Sequence, residues 1–471
     1  MRADTIAAIA TAVSDSGIGI IRISGEGAIE AADKIYRAKD DKKRLSTVKS
    51  HTIHYGFIYN GDELIDEVMV AVMKAPNTYT RENTVEIDCH GGILVMHKIL
   101  DTVLKNGCRL AEPGEFTKRA FLNGRIDLSK AEAVMDIIHS KNEFALKTSV
   151  RQLSGSVSNQ VKKLREDILY EIAFIESALD DPEHISLEGY QERLQEKSDH
   201  ISAVLKKLID NADNGKMLRD GINTVIVGKP NVGKSSLLNL LVGEDRAIVT
   251  SVAGTTRDVL EESIKLHGVG LNIIDTAGIC DTQDEVEKIG VEKARKYAGN
   301  ADLIIYVVDA SRPLDENDTE IMELVHGKKI IILLNKTDLK QVVYEKDIIH
   351  LLKKQNDLGD SLDVKNMKII TTSTKENVGI DEFEHVIKDM FFGGEIAIDD
   401  EVYITNQRHK EALSEAYESM QMVRKSLEDN MPEDFYSIDL MSAYVSLGKI
   451  IGEEVQDDLV NEIFSKFCMG K

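Results

Sequence analysis

Tryptophan is absent from this 471-residue chain and proline occurs only six times, so rigid Pro-rich linkers are not expected between its parts. The four cysteines, Cys89, Cys108, Cys280 and Cys468, are scattered, with no Cys-x-x-Cys pair and no zinc-type spacing to histidine. That excludes a disulfide scaffold and points to reduced thiols. Long hydrophobic runs are missing as well. The stretch 303–308 is among the longest, far below the ~18 residues a membrane span needs. The opening Met1-Arg2-Ala3-Asp4 has no apolar signal-peptide core. Together these absences predict a cytoplasmic protein without a membrane partner. Positive charge is scarce too: 58 Lys and Arg face 81 Asp and Glu, a net charge of −23. Residues 1–118 are nearly balanced at −2, while 395–471 alone carry −10. A protein that grips a phosphate backbone by itself shows a basic footprint; here Lys42-Lys43-Arg44 reads as a solvated loop. Strong autonomous RNA binding is therefore not expected, although a partner can supply positive surface.

What is present is a hydrophobic fraction of 42%, enough for full cores, over a length suited to about three domains. Residues 1–118 alternate β-like runs (19–23 and 67–73) with turns, followed by a helical pattern over 92–104, a small α+β domain. From 119 to 220 the pattern is helical: Ile201, Val204, Leu205, Leu208 and Ile209 share one helix face. Asp180-Asp181-Pro182 interrupts that run, which resumes near Leu187. Residues 393–471 are helical again, with Leu440, Tyr444, Leu447 and Ile451 at the same spacing. Between them, 221–392 alternates strands (224–228, 271–275, 303–308, 329–334, 368–371) with helices (234–243, 285–299, 315–326, 379–391). This is the pattern of a parallel sheet wrapped by helices. One all-α domain interrupted by an α/β insert accounts for the order.

The insert carries Gly228-Lys229-Pro230-Asn231-Val232-Gly233-Lys234-Ser235, a full G-x-x-x-x-G-K-S between a strand and the helix opened by Ser236. Glycines let consecutive amides wrap phosphates at a helix N-terminus. Lys234 supplies positive charge to the β- and γ-phosphates, and the Ser235 hydroxyl suits Mg²⁺. Asp275-Thr276-Ala277-Gly278 ends the next strand, where Asp275 can hold Mg²⁺ through water and Gly278 can meet the γ-phosphate. Asn335-Lys336-Thr337-Asp338 ends another, and the Asp338 carboxylate can accept both guanine N–H donors, which adenine lacks. Ser373-Thr374-Lys375 sits where a base-contact loop is expected. Gly254-Thr255-Thr256-Arg257-Asp258 fits an effector loop, with Thr256 as a second Mg²⁺-ligating hydroxyl. Arg257 is either a cis arginine finger or an ion-pair partner. Ile279 stands where Ras-type enzymes place a water-orienting Gln, so another group must do that work.

The chain resembles the tRNA modification GTPases of the MnmE (TrmE) type over essentially its whole length. The most specific stretches are Pro113-Gly114-Glu115-Phe116-Thr117, Arg119-Ala120-Phe121-Leu122-Asn123-Gly124-Arg125, Asp127-Leu128 and the terminal Cys468-Met469-Gly470-Lys471. The resemblance implies an α+β N-terminal folate-binding and dimerisation domain (1–118), a discontinuous all-α helical domain (119–220 and 393–471), and an inserted α/β P-loop G domain with a mostly parallel sheet (221–392). It implies GTP hydrolysis activated by K⁺. Asn231, Thr250, Val252 and Thr255 would surround the cation, Ser251 and Ala253 would complete the nucleotide contacts of that loop, and Glu287 would orient the attacking water. It implies Arg22, Glu86, Arg125 and Lys471 as contacts to a 5-formyl- or methylene-tetrahydrofolate, and Cys468 as a candidate functional thiol. It further implies a homodimer, and a heterotetramer with an FAD protein of the MnmG/GidA type. Together they would add an aminomethyl-type group to C5 of wobble uridine 34 in tRNA. Ser14-Asp15-Ser16 and the missing Phe before Pro182 depart from the family pattern locally. A ribosome-assembly GTPase of the Era/Der type would share the P-loop but lack the folate domain and tail. A pure nucleotide switch would lack K⁺-stimulated turnover.

Overall fold

The computed structural model describes residues 4–39, 43–140, 142–181, 183–186, 188–242, 262–266, 269–274, 301–324, 328–355, 367–392, 402–453, 457–468 and 470. The expected helix 285–299 lies outside these. The chain divides into two compact units, residues 1–135 with 151–201 and 415–471, and residues 136–150 with 202–414.

The first unit holds a seven-stranded sheet of β1 (Ile6–Ile9), β2 (Ser16–Ser24), β3 (Tyr36–Ala38), β4 (Thr52–Asn60), β5 (Glu63–Met73), β6 (Thr84–Gly91) and β7 (Arg109–Leu110). Their spatial order is β3-β4-β5-β6-β2-β1-β7. Neighbours run antiparallel except β1 with β7. Side chains alternate across a strand, so His54, Gly56 and Ile58 of β4 and Val68, Val70 and Val72 of β5 enter the core. Ile53, Tyr55 and Met69 take the opposite face and stay exposed. Helices Ala28–Ile35 and Ile93–Lys105 cover the inner face with Ala32, Ile35, Met96, Ile99 and Val103. Each fully buried Ile or Val there contributes on the order of 1.5–3 kcal/mol.

The helical layer of this unit comes from two separated stretches of chain, 151–201 and 415–471. Helix Ser156–Asp180 packs along helix Glu433–Ile451. Between them the buried Arg165 lies 4.0 Å over the Tyr444 ring and pairs with Glu453. The helical run breaks after Asp180, near Pro182, and resumes as Tyr190–Asp220. Tyr190 stacks on Phe174 with ring centroids 4.9 Å apart, and its hydroxyl donates to the buried Glu171 at 3.1 Å.

In the second unit β8 (Ile222–Val227), β9 (Glu262–Leu266), β10 (Val269–Ile273), β11 (Leu303–Asp309), β12 (Ile330–Asn335) and β13 (Met367–Thr371) form a sheet ordered β13-β12-β11-β8-β10-β9. Every neighbouring pair is parallel except β9 with β10. All seven residues of β11 are buried, which explains its unbroken apolar run: both faces of a parallel strand are covered. Two elements were not anticipated. Edge strand β9, Glu-Ser-Ile-Lys-Leu, is mostly polar, and helix Glu345–Gln355 shows only a short apolar stripe in which Ile348 is fully buried. In register, Asp309 lies beside Asn335 and Leu334 beside Thr371. The loops leaving β8, β11, β12 and β13 therefore gather along one sheet edge, where open α/β sheets bind ligands.

Candidate functional site: a phosphate loop, a base loop and an arginine–glutamate pair

The loop after β8 has the backbone a phosphate cradle requires. Gly228 has φ +148°, and a Cβ there would stand 2.4 Å from the Val307 carbonyl oxygen. Gly233 has φ +107°, and its Cβ would lie 2.2 Å from Asn335 Nδ2. Only glycine satisfies both demands. Asn231 adopts φ +59°, a conformation Asn tolerates better than most residues. Val232 is buried beneath the loop, while Ser235 and Ser236 lie in the first turn of helix Lys234–Val242. Lys234 Nζ donates to the carbonyl oxygens of Gly228 and Lys229, each at 2.7 Å. Burial lowers its pKa to about 8. A phosphate offers this ammonium stronger acceptors than two neutral carbonyls.

The base-reading side is tied to the same loop. Asn335 Nδ2 donates to Val232 O at 2.8 Å, and Asn335 Oδ1 accepts the Thr374 amide at 3.1 Å. One carboxamide thus joins the phosphate loop, the end of β12 and the loop after β13. Lys336 holds φ +65°, with its ammonium 2.7 Å from Asp309 Oδ2. The Thr337 hydroxyl donates to Thr372 O at 3.0 Å, and the Ser373 hydroxyl donates to Asp338 Oδ1 at 2.8 Å. Lys375 follows in the same loop. Sequence reasoning missed Asp309, whose only signal was its place at the end of a strand adjacent to β12.

Of the remaining nucleotide and cation residues, Thr250, Ser251, Val252, Ala253, Gly254, Thr255, Thr256, Asp275, Thr276, Ala277, Gly278 and Glu287 lie outside the described residues. Asn231 alone of the expected potassium ligands falls within them, as does Ser235 of the expected magnesium ligands. Among the described residues no cluster of three or more His, Cys, Asp or Glu could hold a metal ion. No helix among them is long and apolar enough to cross a membrane.

In the first unit, β2 and β6 place Arg22 directly opposite Glu86. Arg22 Nε donates to Glu86 Oε1 at 2.7 Å, and Nη1 donates to the Gly470 carbonyl oxygen at 3.0 Å. The Arg22 guanidinium lies 5.7 Å from the Phe116 ring centroid and 5.9 Å from that of Tyr79; Arg125 covers Tyr79 at 4.6 Å. Arg22, paired with Glu86, and Arg125 therefore both approach Tyr79, an aromatic that sequence reasoning did not single out. Lys471 lies outside the described residues, but Gly470 is seated tightly: a Cβ on it would stand 2.3 Å from Ile9 O. Upstream, the Gly114 amide donates to Cys468 O at 3.4 Å, and Gly114 leaves no room for a Cβ against Phe464 O, 2.5 Å away. Cys468 is exposed, whereas Cys89 and Cys108 are buried, with thiols pushed up by desolvation to about 12 and about 11. Cys280 lies outside the described residues.

Comparison with known proteins addresses the family of the whole chain. A family model described as GTP-binding protein TrmE N-terminus matches residues 5–125, and one described as MnmE helical domain matches 128–468. The chain is 56% identical, over 471 residues and all of both chains, to the tRNA modification GTPase MnmE of Lachnoclostridium phytofermentans. It is 48% identical to the protein of that name in Alkaliphilus oremlandii, over 99% of each chain. Among solved structures, the G domain of the T. maritima FeoB iron transporter is similar over 36% of this chain and 98% of its own, at 26% identity and a TM-score of 0.23.

Proposed function

Because the chain belongs to the MnmE family of tRNA modification GTPases, we propose that its GTP hydrolysis is activated by potassium and serves a folate-dependent modification of wobble uridine. In this reading the chain works with a flavin-dependent partner to place an aminomethyl-type group on C5 of uridine 34, the carbon coming from a tetrahydrofolate.

The observation that carries the folate half is the Arg22–Glu86 pair closing on the Gly470 carbonyl beside Tyr79. A pterin presents an amide-like edge of N–H donors, which suits the Glu86 carboxylate. Guanidiniums such as Arg22 and Arg125 suit the folate's carbonyl and carboxylate oxygens, with Lys471 as a fourth contact. The partly exposed Tyr79 offers flat apolar surface for a ring, and Phe116 is fully buried. A tetrahydrofolate, when bound, supplies the one-carbon unit; the residues here bind and orient it. Cys468 lies in the same tail and is exposed, whereas Cys89, as near to Glu86 in sequence as Cys468 is to Lys471, is buried.

On the nucleotide side, Lys234 and the P-loop amides grip the phosphates, Ser235 and Thr256 hold Mg²⁺, and Asp338 reads guanine. Asn231, Thr250, Val252 and Thr255 would hold potassium, whose positive charge would offset the negative charge that develops on the transferring phosphoryl group. Glu287 orients the attacking water, the task that Ile279 leaves open. The exposed apolar face of β4 and β5, with Ile53, Tyr55 and Met69, suits a homodimer through the N-terminal sheet. The acidic segment 395–471 suits a more basic FAD partner in a heterotetramer. The domain limits 1–118, 119–220, 221–392 and 393–471 remain part of this proposal.

Titration calorimetry with 5-formyltetrahydrofolate tests the folate assignment. Glu86→Gln keeps the shape of the side chain but loses a charged acceptor, and should weaken binding at least ~10-fold. Unchanged affinity would remove Glu86 from the site.

A further inference from the structure

Behind the phosphate loop lies a buried charged contact that GTP chemistry does not require. Asp318, in helix Glu316–Leu324, is 1% exposed. Its Oδ2 accepts from Lys229 Nζ at 2.7 Å and from the Asp315 amide at 2.9 Å, while Oδ1 accepts the hydroxyl of fully buried Tyr306 at 2.7 Å. Lys229 Nζ also reaches Asp315 Oδ2 at 2.9 Å.

Lys229 occupies one of the variable positions of G-x-x-x-x-G-K-S, where the cradle itself asks only for a backbone. Here its two ends do different work. The side chain is fastened to the helix behind, and the backbone carbonyl is one of the two acceptors holding Lys234 in front. The anchor is a nearly fully buried carboxylate, further held by a tyrosine hydroxyl from the central strand. A buried ion pair resists the removal of either partner because the survivor is left uncompensated. That makes it a rigid fastening for a loop whose next residues include Asn231 at φ +59°.

We propose that Lys229 and Asp318 are positioning residues for nucleotide binding: the pair holds the phosphate loop in the shape that presents its amides, and Lys234, to the phosphates of GTP. The pair touches no phosphate. It acts through the loop backbone, which contacts the phosphates before and during hydrolysis alike. Such an interaction lowers KM and Kd together and leaves kcat nearly unchanged.

The test uses the full-length protein in potassium chloride with saturating Mg²⁺. Lys229→Met should raise the GDP Kd and the GTP KM in parallel, each by about tenfold, with kcat within about twofold. Lys229→Arg, which keeps the charge, should stay within about threefold of wild type on all three. Asp318→Asn can still accept from Tyr306, but it sets an Nδ2 donor against Lys229 Nζ and the Asp315 amide, where Oδ2 accepted from both. It should therefore raise Kd and KM about as much as Lys229→Met does. It carries the same reading should Lys229→Met fail to fold. A lowered melting temperature with unchanged Kd and KM would make the pair merely structural and overturn the proposal. So would a drop in kcat at constant KM.

Discussion

At the scale of single residues, the nucleotide site turns on one lysine. Lys234 is buried against two carbonyls, and desolvation holds its pKa near 8. Phosphates favour the charged ammonium, so its pKa should rise on the proposed binding of nucleotide. Below pH ~7 the lysine is already protonated and affinity should not change with pH on its account. Above pH ~8 binding must take up a proton, and GDP affinity should fall about tenfold between pH 7 and pH 9. Calorimetry in buffers of different ionisation enthalpy reads the proton uptake directly; affinity that stays flat to pH 9 would refute it. Asp309 works at the same scale, pairing with the Lys336 ammonium at 2.7 Å at the ends of β11 and β12.

At the scale of elements, the C-terminal segment shows what a few residues of tail can do. Helix Asp457–Ser465 delivers Phe464 and Phe467 into a small core with Leu128 and Ala131. The chain then runs on past Gly114 to Gly470, which fits against Ile9 only because it lacks a side chain. Deleting residues 468–471 leaves both phenylalanines in place and should change stability by only about 0.5 kcal/mol. It removes the acceptor for Arg22 and the contact proposed for Lys471, so 5-formyltetrahydrofolate binding should weaken while GTP hydrolysis stays near normal. Gly470→Ala should reproduce that loss with no residue deleted, since the new methyl meets Ile9 O and the backbone stands at φ +85°. Unaltered folate affinity in both variants would make the tail an ordinary terminus.

At the scale of the whole molecule, two measurements address the proposed assembly and chemistry. GTP turnover in matched KCl and NaCl should be fast in the first and slow in the second. Glu287→Ala should lower turnover in KCl with little change in GTP affinity, because a water-orienting group acts in the transition state. Equal rates in both salts would remove the cation mechanism and bring Arg257 forward. The homodimer is tested by light scattering. The full-length chain should give twice the monomer mass of 52.4 kDa, and Tyr55→Asp, placing a charge on the exposed β4 face, should shift it toward monomer. A monomer at micromolar concentration would return that face to solvent.

The five expected strands of the G domain and the helix opening at its phosphate loop were legible in sequence because their logic is local. Gly228 and Gly233 flank the cradle, Lys234 follows within the same motif, and each motif closes an apolar run that reads as a buried strand. The helical stretches on either side were legible from periodicity, and the break near Pro182 from proline's effect on the helix. Edge strand β9 was not, because a short, mostly polar strand has too little apolar alternation to read. Nor was the meeting of residues proposed as the folate site. Arg22 meets Glu86 across 64 residues and Gly470 across 448, and no period or spacing encodes such a meeting. Only a resemblance to relatives named these residues, and it did not name Tyr79. Lys229 and Asp318, 89 residues apart, lie inside ordinary loop and helix sequence. Composition and local pattern thus determined most of the elements and the GTP-binding character, since backbone geometry and burial act over a few residues. Which distant side chains face one another was decided by strand register and by the close approach that two glycines permit.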